Sequence, residues 1–151
     1  MEKETFLTFQ LGQDLFAVEV SNVLEVFEKQ TITLVPRAPE HILGIVNFRG
    51  NIVPVISTHQ KFNLPFNDRD LNSILIVFET HSAGNHHFFA ATADKVKDVI
   101  EASPGEIIPI PEIGVSYDSK FIRGAIRRNN NFILLLETER VFSQVETEVI
   151  S

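Results

Sequence analysis

The chain repeats itself. Placing Phe16 on Phe89, an offset of 73, brings Ala17 onto Ala90, Val23 onto Val96, Val26 onto Val99, Glu28 onto Glu101 and Pro36 onto Pro109. After an insertion the match resumes at an offset of 80, where Ile42 meets Ile122, Gly44 meets Gly124, Asn51 meets Asn131 and Phe62 meets Phe142. Generic β alternation produces chance matches, but it does not produce the same order of elements twice: strand, turn, strand, short Val-rich segment, proline, helical turn, glycine, hairpin, strand. In a chain of 151 residues this duplication predicts two small lobes. A lobe of about 70 residues buries little by itself, so the two are expected to share an apolar interface.

The elements themselves read mainly as β. TFLTFQL and LFAVEV alternate, whereas NIVPVIS, SILIVFE, HHFFAATA and NNFILLLE are short apolar or β-branched runs. Turn residues separate them at Gly12 with Asp14, at Arg49-Gly50-Asn51, at Ala83-Gly84-Asn85 and at Asn129-Asn130-Asn131. Many short strands at such spacing predict barrels or sandwiches. APEHILG, with Pro39 at its start and Gly44 at its end, predicts a short helical turn. SYDSKFIRG predicts another, capped by Asp118 or Ser119 and ended by Gly124. ETERVFSQVETEVI predicts a C-terminal helix, and the polar PFNDRDLN, Pro65 to Asn72, is the natural linker. The lobes are accordingly expected at residues 1–68 and 69–151, with the first strand either pairing at home or crossing to the other lobe.

Composition narrows the function. The absence of cysteine removes disulfide frameworks, thiol nucleophiles, zinc fingers and iron–sulfur ligation. A net charge of −7 opposes nucleic acid as partner, since Lys and Arg cluster only at Arg123, Arg127 and Arg128. No run approaches the roughly twenty apolar residues of a membrane span, and MEKETFLTFQL shows no signal-peptide pattern, so a cytoplasmic protein without membrane insertion is expected.

Chemistry-bearing constellations are sparse. His41, His59, His81, His86 and His87 show no helical metal-ligand spacing. His81, His86 and His87 flank a predicted hairpin and can approach across it, but a solvated hairpin is the simpler reading, and no metal or cofactor is expected. Ser57 and His59 lie near a strand end without a nucleophile elbow. Phosphate-binding glycine motifs are missing. Glu25, Glu28, Glu101, Glu112, Glu137 and Glu139 are scattered, as solvated carboxylates usually are. An enzyme, whether hydrolase or metal-dependent, is therefore disfavoured, and no catalytic residue is assigned.

ILGIVNFRGNIVPVIS carries Gly44, Asn47, Arg49, Gly50 and Pro54 in the spacing G-[VI]-x-N-x-R-G-x-[IV]-x-P-[VI], and so resembles the CheW-like coupling proteins of bacterial chemotaxis. ADKVKDVIEASPGEIIPIP is similar to a later segment of that family, with Ala93-Asp94 where Val-Asp is typical; Ser57-Thr58 stands where Asp-Leu is usual. The resemblance extends from FLTFQLGQDLFAVEVSNVLEV to FILLLETERVF. It implies two SH3-like five-stranded β-barrels around a common hydrophobic core, with no catalysis. It also implies two partners: the helical-hairpin tip of a chemoreceptor's cytoplasmic region, and the regulatory domain of the histidine kinase CheA. Receptor contact is implied for Val23, Gly44 and Arg49 with Glu25 nearby, and kinase contact for the other barrel. Other settings for such an adaptor are twitching motility, gene regulation and cyclic-di-GMP signalling.

Residue chemistry suits this reading. An arginine fork holds a carboxylate or carbonyls in fixed directions, Gly44 permits close backbone approach, and Val23 offers apolar contact. Internal roles compete at each position: Val23 as core, Gly44 as a helix cap, Arg49 as the partner of Glu25. One contrast favours Arg49. In the repeat, GIVNFRGNIVPVI faces GAIRRNNNFILLL, so the glycine and the asparagine recur, whereas Arg49 is replaced by Asn129.

Overall fold

The computed structural model describes residues 2–28, 31–38, 41–62, 64, 74–82, 84–110, 117 and 119–141. Twelve strands and one short α-helix lie wholly within them: β1 (Glu4–Leu11), β2 (Asp14–Glu19), β3 (Val23–Phe27), β4 (Thr33–Leu34), β5 (Ile42–Phe48), β6 (Asn51–Ile56), α1 (Thr58–Lys61), β7 (Ile74–Ser82), β8 (Asn85–Ala93), β9 (Lys95–Ala102), β10 (Ile107–Ile108), β11 (Ile122–Arg128) and β12 (Asn131–Leu136). They form two six-stranded sheets. Lobe I has the order β3-β7-β8-β6-β5-β4, and lobe II the order β10-β11-β12-β2-β1-β9. The two-residue strands β4 and β10 add a sixth strand to the five expected in each barrel.

The duplication survives at the level of hydrogen-bond register. β5 and β11 are offset by 80 residues, as are β6 and β12, and each pair carries a bulge between equivalent residues, Ile42/Gly44 and Ile122/Gly124. The parallel pairing of Val55 with Ala90 matches that of Leu135 with Ala17. A loop bond repeats too: Ser57 N–H donates to the His41 carbonyl (2.8 Å), and Glu137 N–H donates to the Phe121 carbonyl (2.9 Å).

The sheets do not follow the boundary drawn between residues 68 and 69. Lobe I is one continuous stretch, β3 to β8, while lobe II combines the hairpin β1–β2 with β9 to β12. Each lobe is thus completed by a hairpin whose second strand lies parallel to its neighbour: β8 beside β6, and β2 beside β12. Parallel neighbours cannot be joined by a tight turn, and between β6 and β8 the connection runs through α1 and the antiparallel strand β7. The polar segment from Pro65 to Asn72 lies outside the described residues, and its flanking elements α1 and β7 both attach to lobe I, so it does not separate the sheets.

These two crossing hairpins make the core continuous. One face of β1 and β2 gives Phe6 and Ala17 to the interior of lobe II with Ile126, Ile133 and Leu135. Equivalent positions on β7 and β8, Leu75 and Ala90, fill lobe I with Val46, Val53 and Val55. Their opposite faces meet between the lobes, where Leu7, Phe9 and Phe16 pack with Ile76, Phe78 and Phe89. That is why the alternation of TFLTFQL does not mark a half-solvated strand: Phe6, Leu7, Thr8 and Phe9 are all buried. Thr8 is satisfied at a bulge, its hydroxyl donating to the Asp98 carbonyl and accepting from the Asp98 N–H (2.9 Å each). Each fully buried large side chain contributes about 1.5–3 kcal/mol, so the shared layer is a main source of stability.

The helical expectations are partly corrected. Gly44 and Gly124 do not end helices; they lie inside β5 and β11. Residues 119–121 form a 3-10 turn, and residues 138–141 are helical, the rest of the expected C-terminal helix lying outside the described residues. Ser57, where the related pattern has aspartate, caps α1 by accepting from Gln60 N–H (3.1 Å), a role either residue type fills.

Candidate functional site

Arg49 and Gly50 form the tip of the β5–β6 hairpin. Both have positive φ (53° and 84°), as required when two residues turn two twisted strands. The equivalent tip, Asn129 and Asn130, has φ values of 51° and 65°. Asn47 fastens the turn by accepting from Gly50 N–H through Oδ1 (3.0 Å). Arg49 is exposed, and its guanidinium carbon lies 4.7 Å from the centroid of the Phe48 ring. Phe48 is itself buried, edge-on to Phe27 at 5.9 Å and to Phe88 at 6.3 Å. Phe27 and Phe48 lie four strands apart in the sheet order yet touch, so lobe I curls on itself and places an aromatic floor beneath the arginine.

The remaining positions differ in kind. Val23 begins β3, pairs with Phe78 and is half-buried against the core between the lobes. Glu25 is exposed at the β3–β7 bulge. No ion pair joins it to Arg49 among the described residues, so that internal pairing is not observed. Gly44 is buried, and a Cβ there would lie 2.1 Å from the Thr33 carbonyl oxygen. A close backbone approach at Gly44 is thus made inside the lobe, by β4. Phe48 was not singled out in the sequence; its aromatic ring directly before the arginine was the available signal.

The other constellations resolve as structure. Ser57 serves as helix cap, and the buried His59 engages Thr92 through Nδ1 (3.2 Å) and Asp94 through Nε2 (3.0 Å), so the two do not form a nucleophile–base pair. Thr58 N–H also donates to the Thr92 hydroxyl (3.2 Å), and Asp94 accepts from Gly12 N–H (2.7 Å). This knot, buried at Thr58, His59 and Thr92 and exposed at Asp94 and Gly12, ties α1 and β8 of lobe I to the β1–β2 turn of lobe II.

Two arginines of the basic segment, Arg123 and Arg128, are likewise occupied. Arg123 grips Glu4 with both Nη atoms (2.6 and 2.7 Å) and Glu19 with one (3.0 Å), while Arg128 binds Glu106 (3.1 Å) and the Glu101 carbonyl (2.7 Å). Hydrogen bonds from Arg123 hold the Glu4 carboxyl below its ordinary value, and the bond to Glu4 raises Arg123 in turn. Tyr117 donates to Asp14, and its hydroxyl is pushed upward, first by burial and then by that bond. No helix among the described residues is long and apolar enough to cross a membrane.

Comparison with known proteins agrees with this architecture. The CheW-like domain pattern matches residues 5–146. "Chemotaxis protein CheW" of Treponema pallidum (strain Nichols) is 25% identical over 155 residues, covering 99% of this chain and 88% of the relative. The namesake from Helicobacter pylori is 28% identical over 141 residues, covering 92% and 81% respectively. Among solved structures, the scaffolding protein TtCheW from Thermoanaerobacter tengcongensis superposes with a TM-score of 0.78 at 26% identity, over 93% of each chain. With a match that runs almost from end to end and the duplicated two-sheet fold behind it, the chain belongs to the CheW-like domain family.

Proposed function

We propose that this protein is a non-catalytic chemotaxis scaffold that couples the helical-hairpin tip of a chemoreceptor to a CheA-type histidine kinase. Arg49 is the central receptor contact in this reading. Val23 and Glu25 on β3 lie on the same lobe and supply apolar and polar surface, and Gly44 acts indirectly by seating β4 against β5. The observation that carries the proposal is the asymmetry of two matched hairpins: an exposed arginine on an aromatic floor in lobe I, and Asn129 in lobe II. Exposed Val99 and Phe132 on lobe II offer apolar surface for the kinase regulatory domain.

The test is capture of a receptor tip and, separately, of a kinase regulatory domain by the wild type, Arg49→Glu and Asn129→Glu. Arg49→Glu is expected to weaken receptor capture by about tenfold or more, equivalent to about 1.4 kcal/mol, with kinase capture unchanged. Asn129→Glu should leave receptor capture intact. Undiminished receptor capture by Arg49→Glu removes Arg49 from the interface.

A further inference from the structure

The tip of the β7–β8 hairpin brings three metal-ligating side chains to one face. His81 stands directly opposite His86 in the ladder, with ring centroids 4.3 Å apart. Strand alternation puts Glu79, two residues before His81, on the same face, and His87, opposite Thr80, on the other. Glu79 Oε1 bonds His86 Nδ1 and lies 3.8 Å from His81 Nε2. One donor atom from each of the three residues lies within 4.8 Å of the others.

We propose that Glu79, His81 and His86 bind a divalent first-row transition ion of the zinc class. Two imidazoles and one carboxylate suit such borderline ions, whereas calcium and magnesium require oxygen donors throughout. Donors at roughly 2.0–2.1 Å from a tetrahedral ion lie about 3.3 Å apart. Rotation of the side-chain ends brings the donors to that spacing, the Glu79–His86 contact lengthening and the 3.8 Å Glu79–His81 separation shortening, and the 56% and 60% exposure of His81 and His86 leaves room for it. A solvent molecule takes the fourth position.

The triad is not a by-product of the duplicated fold. At the matching places on the β1–β2 hairpin stand Gln10, Gly12 and Gln13, which offer no imidazole or carboxylate. Its location gives it a consequence. Phe88, opposite Glu79, touches Phe48, the floor of Arg49, so an ion here braces the hairpin tip beside the proposed receptor contact.

The test uses the full chain freed of metal. Cobalt absorption and zinc displacement calorimetry are run on the wild type, His86→Ala, Glu79→Gln and His87→Ala, with circular dichroism to verify folding. One zinc per chain is expected, weakened at least about tenfold by His86→Ala and by Glu79→Gln and unaffected by His87→Ala. Absence of saturable one-to-one binding, or an equal loss in His87→Ala, overturns the site. Receptor capture by the metal-free protein is independent of either result, so this site and the proposed coupling function fail separately.

Discussion

Arg49 occupies a backbone conformation that favours glycine or asparagine. Its φ of 53° falls in the left-handed region, where a side chain with an ordinary Cβ costs roughly 1–2 kcal/mol and asparagine costs less. The Phe48 stack returns part of this, about 0.5–1 kcal/mol at an exposed site. Arg49→Asn, which copies Asn129, is therefore expected to stabilise the protein by up to about 1 kcal/mol while weakening receptor capture. A denaturant titration run beside the capture assay checks both; a variant that is less stable than wild type refutes the account of the turn. The arginine's singularity was legible in the sequence, because aligning the halves sets it against asparagine. Its aromatic floor was not, since Phe27 and Phe88 reach Phe48 only when the sheet curls.

Between residue and fold, the bulged strands β5 and β11 show why one glycine supports two readings. A glycine following a short polar stretch after proline matches a helix C-terminus, but glycine also marks strand bulges and places where backbones come close. The structure selects the second: β4 pairs alongside Gly44, and the end of β10 lies close to Gly124. An added Cβ meets backbone oxygen at 2.1 Å at Gly44, whereas at Gly124 the nearest atom is Ile107 Cγ2 at 2.8 Å, with the Ile108 carbonyl oxygen at 2.9 Å. Gly44→Ala should thus destabilise by about 1–3 kcal/mol, and by more than Gly124→Ala, in matched urea titrations. Equal losses would mean that β4 moves aside freely.

Across the whole molecule, the two lobes are held by exchanged hairpins, and Arg123 helps to fix one of them. From β11 it reaches Glu4 on β1 and Glu19 on β2, past the intervening β12. Since Glu4 titrates below its ordinary value of 4.5 in the folded protein, its contribution is complete above about that pH and is lost as pH falls through the lowered value. Glu106 shifts in the same direction through its bonds to Ser103. Arg123→Gln should cost about 1 kcal/mol at neutral pH, the pair being partly solvated, and should flatten the fall in melting temperature between about pH 5 and pH 3. An acid transition as steep as that of the wild type would exclude this tie.

The sequence by itself determined the β class, the duplication with its offsets of 73 and 80, the membership implied by ILGIVNFRGNIVPVIS, and the singular arginine. Those are properties of residue order, which periodicity and internal alignment read directly. Tertiary structure decided which hairpin completes which lobe, what lies over Gly44, and that Glu79, His81 and His86 share a face. Pairing partners distant in the chain are chosen by the joint burial of two faces of a strand, and that choice is made only when all the strands are assembled.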